Sequence, residues 1–125
     1  MLTTGIDLVE IARVKRALER HGDRFLERVF TPAEILYCRA RPAELAARFA
    51  AKEAVSKALG VGIWWRGGIA WQEAEVRSNR LGKPEVVLYG RAADYAREQE
   101  LDQWAISLSH SDDNGIAMVV AMHRN

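Results

Sequence analysis

At 125 residues, 49% hydrophobic and 28% charged, with a formal net charge of +1, the chain is expected to form one soluble domain, residues 1–125, with a core of its own. No apolar run approaches the roughly 20 residues of a membrane span, and Met1-Leu2-Thr3-Thr4-Gly5 lacks the basic and apolar regions of a signal peptide, so a cytoplasmic protein is expected. Cys38 is the one cysteine; it excludes an intrachain disulfide or a Cys-based metal site and reads as a small buried hydrophobe.

Leu2 to Val9 is a β-leaning run that contains Gly5 and Asp7. A helix follows from about Glu10 to Arg20, and a second short one from Phe25 to Phe30 after the His21-Gly22-Asp23 break. Thr31-Pro32-Ala33-Glu34 has the form of a capping box, which predicts a third helix reaching about Ala40. Pro42 resets the chain, and a long central helix is expected from about Ala43 to Leu59, stopped by Gly60. Trp71–Arg77 and Glu85–Tyr89 read as a hairpin around the Gly82-Lys83-Pro84 turn, and an Ala-rich helix follows from about Arg91 to Leu101. Trp104 to His110 alternates as a strand, and Asp112-Asp113-Asn114-Gly115 turns it into a last strand, Ile116–Met122. This order predicts an α+β fold in which helices pack on a mainly antiparallel sheet.

The central helix carries most of the chemistry. Phe49, Glu53 and Lys57 climb one stripe, with Arg48 and Lys52 beside it. Read blandly, Glu53 and Lys57 are a solvated i,i+4 pair and Asp7 is a helix cap. Read chemically, Asp7 and Glu53 converge on one hard cation, as Mg²⁺ is held by one or two carboxylates plus substrate phosphates. Arg48, Lys52 and Lys57 would then face the phosphates together. No G-x-x-x-x-G-K-[ST] loop is present, which argues against an ordinary P-loop enzyme.

Gly5-Ile6-Asp7-Leu8-Val9-Glu10 and Phe49-Ala50-Ala51-Lys52-Glu53-Ala54-Val55-Ser56-Lys57-Ala58 together closely resemble motifs of the 4′-phosphopantetheinyl transferases. The Gly82-Lys83-Pro84 turn and the Ser107-Leu108-Ser109-His110 strand, with the small-residue strand after it, resemble the small single-domain kind in the same order. The resemblance implies transfer of 4′-phosphopantetheine from coenzyme A to a serine of apo-acyl carrier protein, with Mg²⁺ as cofactor and adenosine 3′,5′-bisphosphate as product. It implies that Asp7 and Glu53 bind the metal and that Lys57 meets the pyrophosphate. It implies that Arg48, Gly82, Lys83, Pro84, Ser109 and His110 line the coenzyme A pocket. Asp7 or a metal-bound water would take the serine proton, a choice that stays open. His110 also continues the apolar face of Trp104, Ile106 and Leu108, so a core histidine is the alternative. Trp64 and Trp65 look like an adenine clamp, with packing as the alternative.

The resemblance further implies a homotrimer with sites at subunit boundaries. A metal-dependent hydrolase of the coenzyme A pyrophosphate and a non-catalytic coenzyme A or carrier-binding module are the competing functions. From Arg13 to Arg28 the chain carries six positive and three negative charges. A near-neutral total and the lack of aromatics along this stripe argue against nucleic acid. Acyl carrier proteins are acidic, so Arg13, Arg20, Arg24 and Arg28 are the expected carrier contacts.

Overall fold

The computed structural model describes every residue except Trp64, Trp65 and Asn125, so the expectation of an adenine clamp at the two tryptophans lies outside the described residues. The elements are β1 (Leu2–Glu10), α1 (Ile11–His21), α2 (Asp23–Val29), α3 (Pro32–Cys38), α4 (Pro42–Leu59), β2 (Ala74–Ser78), β3 (Pro84–Leu88), α5 (Gly90–Glu98), β4 (Gln103–His110) and β5 (Asn114–Met122). The α+β expectation holds. β1, β5 and β4 form an antiparallel sheet in that order, and β2 and β3 form a separate hairpin. No helix among the described residues is long and apolar enough to cross a membrane.

Several boundaries differ from expectation: α2 begins at Asp23 and β5 at Asn114, each two residues earlier than expected, and three others have a visible cause. α3 stops at Cys38, because Arg39 and Ala40 both adopt left-handed φ values, 49° and 58°. Pro42 opens α4 and disfavours helix at the residue before it, so the chain must reverse within these few positions. Trp71–Glu73 is a 3₁₀ turn rather than strand; the Ala70 amide donates to Glu73 Oε1 at 2.6 Å, and the ladder begins only at Ala74. α5 ends at Glu98, short of Leu101, because Glu100 also takes a positive φ of 58°.

Alternation divides the sheet into two faces. Gly5, Val9, Gly115, Ala117, Val119 and Ala121 point inward and are buried. α4 lies across this face through its alanines, at backbone distance. A Cβ at Gly5 would collide with the Ala54 carbonyl oxygen, and one at Gly115 would sit 2.6 Å from the Ala47 amide nitrogen. Glycine is required at both positions by the closeness of the helix, not by φ.

Lys52 lies about 200° round α4 from Ala54, on the side away from the sheet. Its ammonium donates to Glu34 Oε1 at 2.7 Å, to the Ala74 carbonyl at 2.8 Å and to the Trp71 carbonyl at 3.1 Å. Glu34 also accepts from the Thr31 and Val76 amides, each at 2.9 Å, so the residue that closes the α3 capping box also binds α4 and β2. Both side chains of the pair are fully buried. Beside them, burial would raise the Glu75 carboxyl, but hydrogen bonds from Thr31, Arg77 and Tyr89 outweigh it and hold its pKa below the usual value. α4 is thus gripped between the sheet and the α3–β2 layer.

Gly5→Ala should cost about 1–3 kcal/mol, the usual range for overpacking. Urea denaturation measures it, and an unchanged midpoint would mean that α4 can retreat from β1 without penalty.

Candidate active site

Asp7 sits within β1, and the N-cap of α1 is Glu10, so the capping role for Asp7 is excluded. Lys57, projecting from α4, donates to Asp7 Oδ1 and to the Ile6 carbonyl, both at 3.0 Å. The ion pair therefore joins α4 to β1, in place of the Glu53–Lys57 pair along the helix. Glu53 is half-buried in the same neighbourhood. Burial raises its carboxyl pKa, and the charge of Asp7 raises it further; Lys57 and Arg13 offset part of the shift. Arg13 also lies over the Phe49 ring, 6.0 Å from its centroid.

Among the described residues there is no cluster of three or more His, Cys, Asp or Glu, so a cage built wholly from protein side chains is absent. Two mutually repelling carboxylates from separate elements instead suit a hard cation that keeps water and ligand phosphates in its remaining positions. The donor set fits Mg²⁺ on these terms.

A cavity of about 300 Å³ gathers Arg48, Gly82, Lys83, Pro84, Ser109 and His110. These are the residues expected at a coenzyme A pocket, apart from Lys57. His110 is exposed, which rules out the core alternative. Arg48 is only 2% exposed; it donates to Glu44 Oε2 at 3.1 Å and to Ser78 Oγ at 3.2 Å, and its guanidinium lies 4.2 Å from the Tyr37 ring centroid. The Glu44–Arg48 spacing could have been found as an i,i+4 pair. Nothing in the sequence signalled Tyr37 or Ser78, which reach Arg48 only through tertiary packing.

The expectation that Arg48, Lys52 and Lys57 meet one ligand is corrected. Lys52 is buried in the α3–β2 layer with all its protons used. Lys57 stands nine positions after Arg48, so the two lie about 180° apart round the helix. Within one chain the carboxylates and the cavity occupy opposite flanks of α4.

The expected carrier contacts also divide. Arg24 and Arg28 border a hollow of about 310 Å³ with His21 and Phe25. Arg13 borders an apolar pocket of about 140 Å³ whose walls include Val9, Val14, Phe25 and Phe49. Phe25 is common to both, so the two depressions are neighbours. Arg20 is exposed in the last turn of α1 and borders neither.

A sheet-and-helix fold with a carboxylate pair, a lysine bonded to one of the two and a separate basic cavity defines the class, and the model of the 4′-phosphopantetheinyl transferase superfamily matches residues 3–116. The chain belongs to that superfamily. Among curated relatives, the holo-[acyl-carrier-protein] synthase of Herpetosiphon aurantiacus is 50% identical over 126 residues, covering 98% of this chain and 99% of that one. The synthase of Moorella thermoacetica is 51% identical over 88% of this chain and 85% of its own. Helicobacter pylori holo-[acyl-carrier-protein] synthase, solved in complex with coenzyme A, superposes with a TM-score of 0.85 at 34% identity, covering 95% of this chain and 99% of that chain. The Chronobacterium ammoniagenes synthase–coenzyme A complex gives 0.84 at 31% identity, over 100% and 99%. The chain is an enzyme of this synthase kind.

Because burial, and then the charge of Asp7, disfavour ionised Glu53, Glu53→Gln should leave the metal-free fold as stable as the parent or up to about 1 kcal/mol more stable at neutral pH. A raised carboxyl pKa costs stability only once the group is ionised, so the gain should vanish as pH falls and Glu53 is protonated in both folded and unfolded states. Thermal melts in chelator across pH check this; a clear loss at neutral pH would mean that the carboxylate makes favourable contacts.

Proposed function

We propose that this enzyme transfers 4′-phosphopantetheine from coenzyme A to a serine of an apo-acyl carrier protein, with Mg²⁺ as cofactor and adenosine 3′,5′-bisphosphate released. The observation that carries the proposal is the convergence of Asp7, Glu53 and Lys57, from β1 and α4, at one solvent-accessible point. Asp7 and Glu53 hold the ion. Bound there, Mg²⁺ supplies neutralisation of the negative charge on the pyrophosphate. Lys57 is 54% exposed and tethered only at its tip, so it can exchange Asp7 for a pyrophosphate oxygen and stabilise the departing phosphate. The serine oxygen attacks the phosphorus that bears pantetheine and its proton passes to Asp7 or to water. The bond from that phosphorus to the oxygen of the adenosine bisphosphate breaks.

The nucleotide end of coenzyme A occupies the cavity of about 300 Å³. That volume is at the low end of the roughly 300–1,000 Å³ of small-molecule sites, room for part of the cofactor and not for all of it. Arg48 and Lys83 supply positive charge there, His110 and Ser109 supply hydrogen bonds, and Gly82 and Pro84 shape the turn. Because this cavity and the carboxylates lie on opposite flanks of α4, a complete site draws one half from each of two chains. The outer face of the sheet supports such an assembly: Leu2, Ile6, Leu8, Met118 and Met122 are each more than 40% exposed and adjacent in register. A contiguous apolar face of this kind marks a protein interface, and further copies of this chain are its proposed occupants. The family resemblance supplies the number three.

The carrier docks on Arg13, Arg20, Arg24 and Arg28, which complement its acidic surface. The apolar pocket beside Arg13 offers a seat for one of its apolar side chains. Carriers of this type serve fatty acid biosynthesis, which gives the enzyme a proposed place in cytoplasmic lipid metabolism.

Incubation with coenzyme A, Mg²⁺ and apo-carrier should add the mass of phosphopantetheine to the carrier. Free phosphopantetheine would indicate a hydrolase instead, and no turnover a binding module. Asp7→Ala and Glu53→Ala should each abolish the mass gain, and His110→Ala should suppress it at limiting coenzyme A. Co-expressed Glu53→Ala and His110→Ala chains should regain up to about a quarter of the parental rate, because some boundaries then join two intact halves. No recovery in verified mixed oligomers would show that each chain builds its own site.

Docking by charge is screened by salt, as the Debye length falls from about 10 Å at 0.1 M to about 3 Å at 1 M. Reversing Arg20 and Arg24 to Glu should therefore raise the KM for carrier and leave that for coenzyme A nearly unchanged. Carrier kinetics indifferent to both the reversal and added salt would reduce the basic stripe to a solvated face.

A further inference from the structure

Glu53 and Lys57 act from a helix whose burial scarcely distinguishes one side from another. Twelve of the eighteen residues of α4 are buried, and they wrap most of its circumference. Against the sheet it presents alanines, facing Gly5 and Gly115. Such a surface sets the distance between layers closely, but it is nearly smooth. Through this face alone, methyl groups resting on glycines gain little apolar burial by choosing one rotation or axial position over a neighbouring one. The rotation is set by larger groups elsewhere on the helix, by Leu45, Val55 and Leu59 in the core and by side-chain bonds such as those of Lys57 to β1 and of Lys52.

The opposite side is different. Lys52 has three protons and three acceptors, from the carboxylate of Glu34 and the carbonyls of Trp71 and Ala74. Glu34 in turn is held by the amides of Thr31 and Val76, so it is fixed to the start of α3 and to β2. Each of these bonds has a direction as well as a length, and any turn or slide of α4 would break several of them inside a dry layer. Lys52 immediately precedes Glu53, about 100° round the helix from it. A rotation that moved Lys52 off its acceptors would swing the Glu53 carboxylate away from Asp7 by the same angle.

We infer that the buried Lys52–Glu34 pair is a positioning element for the metal site, fixing the rotation of α4 so that Glu53 meets Asp7. Setting register is the best-supported use of a buried ion pair, since two apolar residues of like volume often stabilise a fold as well or better. Lys52 and Glu34 touch neither the cation nor the substrate; they act through Glu53. The inference rests on the transferase reading, which assigns Glu53 to the ion.

The test separates position from stability. Lys52→Met strands a buried carboxylate and is prone to unfold, so the informative variants are the double change Lys52→Met/Glu34→Gln and the milder Glu34→Gln alone. Each is followed by thermal melting, by binding of Mn²⁺ in the presence of coenzyme A read by electron paramagnetic resonance, and by the Mg²⁺ dependence of carrier modification. In the double variant, Mn²⁺ affinity should weaken about tenfold or more, the scale seen when residues supporting metal ligands are lost. The Mg²⁺ requirement for transfer should rise in parallel, with the KM for coenzyme A at saturating Mg²⁺ little changed. Glu34→Gln should give the same pattern to a smaller extent. A folded double variant with parental Mn²⁺ affinity and Mg²⁺ dependence would overturn the inference and leave the pair purely structural. Failure of the unaltered protein to bind Mn²⁺ or modify carrier would instead overturn the assignment of the metal site.

Discussion

Two glycines determine how closely the central helix can lie on the sheet. With any side chain at Gly5 or Gly115, the backbones of α4 and the sheet would have to move apart, and the contacts across that seam, the Lys57–Asp7 bond of 3.0 Å among them, would have to readjust. The small residues of α4 are the other half of the same constraint, because only alanine fills a gap this narrow without leaving a void. A functional site made by one strand and one helix needs such closeness. The side chains of Asp7 and Glu53 are short, so the sharing of one ion proposed for them needs the strand and the helix held close together.

The cost of that arrangement appears on the other side of the helix. A layer built on alanine and glycine buries little apolar area per residue, so the remaining cohesion must come from elsewhere. Here it comes from large groups: Phe30, Leu45 and Ile69 in the apolar core, and the side chains of Lys52, Glu34 and Arg48, all essentially withdrawn from water. Burying charge is expensive unless each charge is paired and hydrogen-bonded. Lys52 and Glu34 meet that condition fully. Arg48 meets it less completely, since its Nε lacks a partner while its other nitrogens are engaged. It is also the member of the group that borders a cavity.

Much of this was legible in the sequence, and the limits have physical causes. Periodicity and caps gave the helices and strands, because local chemistry decides where a chain can turn. Errors fell where packing or the path of the chain overrode local preference: at Trp71, whose carbonyl turns toward Lys52, and at Arg39 and Ala40, where a short connection forces left-handed backbone. The residues expected in the basic cavity were identified by motif, and the fold gathers them. Lys52 was misassigned because a sequence displays charge but not burial. One residue on, Glu53 differs by about 100° of helix rotation, and that angle separates a residue facing the site from one sealed in the core. Tyr37 and Ser78 left no trace because their relation to Arg48 exists only once three elements have packed.

The strand order has a consequence for how the molecule comes into being. β5, the last strand in the sequence, lies in the middle of the sheet, with β1 on one side and Leu2 opposite Met122. During synthesis, the strand bearing Asp7 emerges about 100 residues ahead of the neighbour with which it pairs. Until then its inward face has only helices to meet, and its backbone remains unpaired. Such long-range closure is slow and leaves strand edges open to other chains. The same pairing places the start of β1 beside the end of β5, so a short linker between them, with a new opening cut in an exposed loop, would let β5 and β1 emerge as one continuous hairpin.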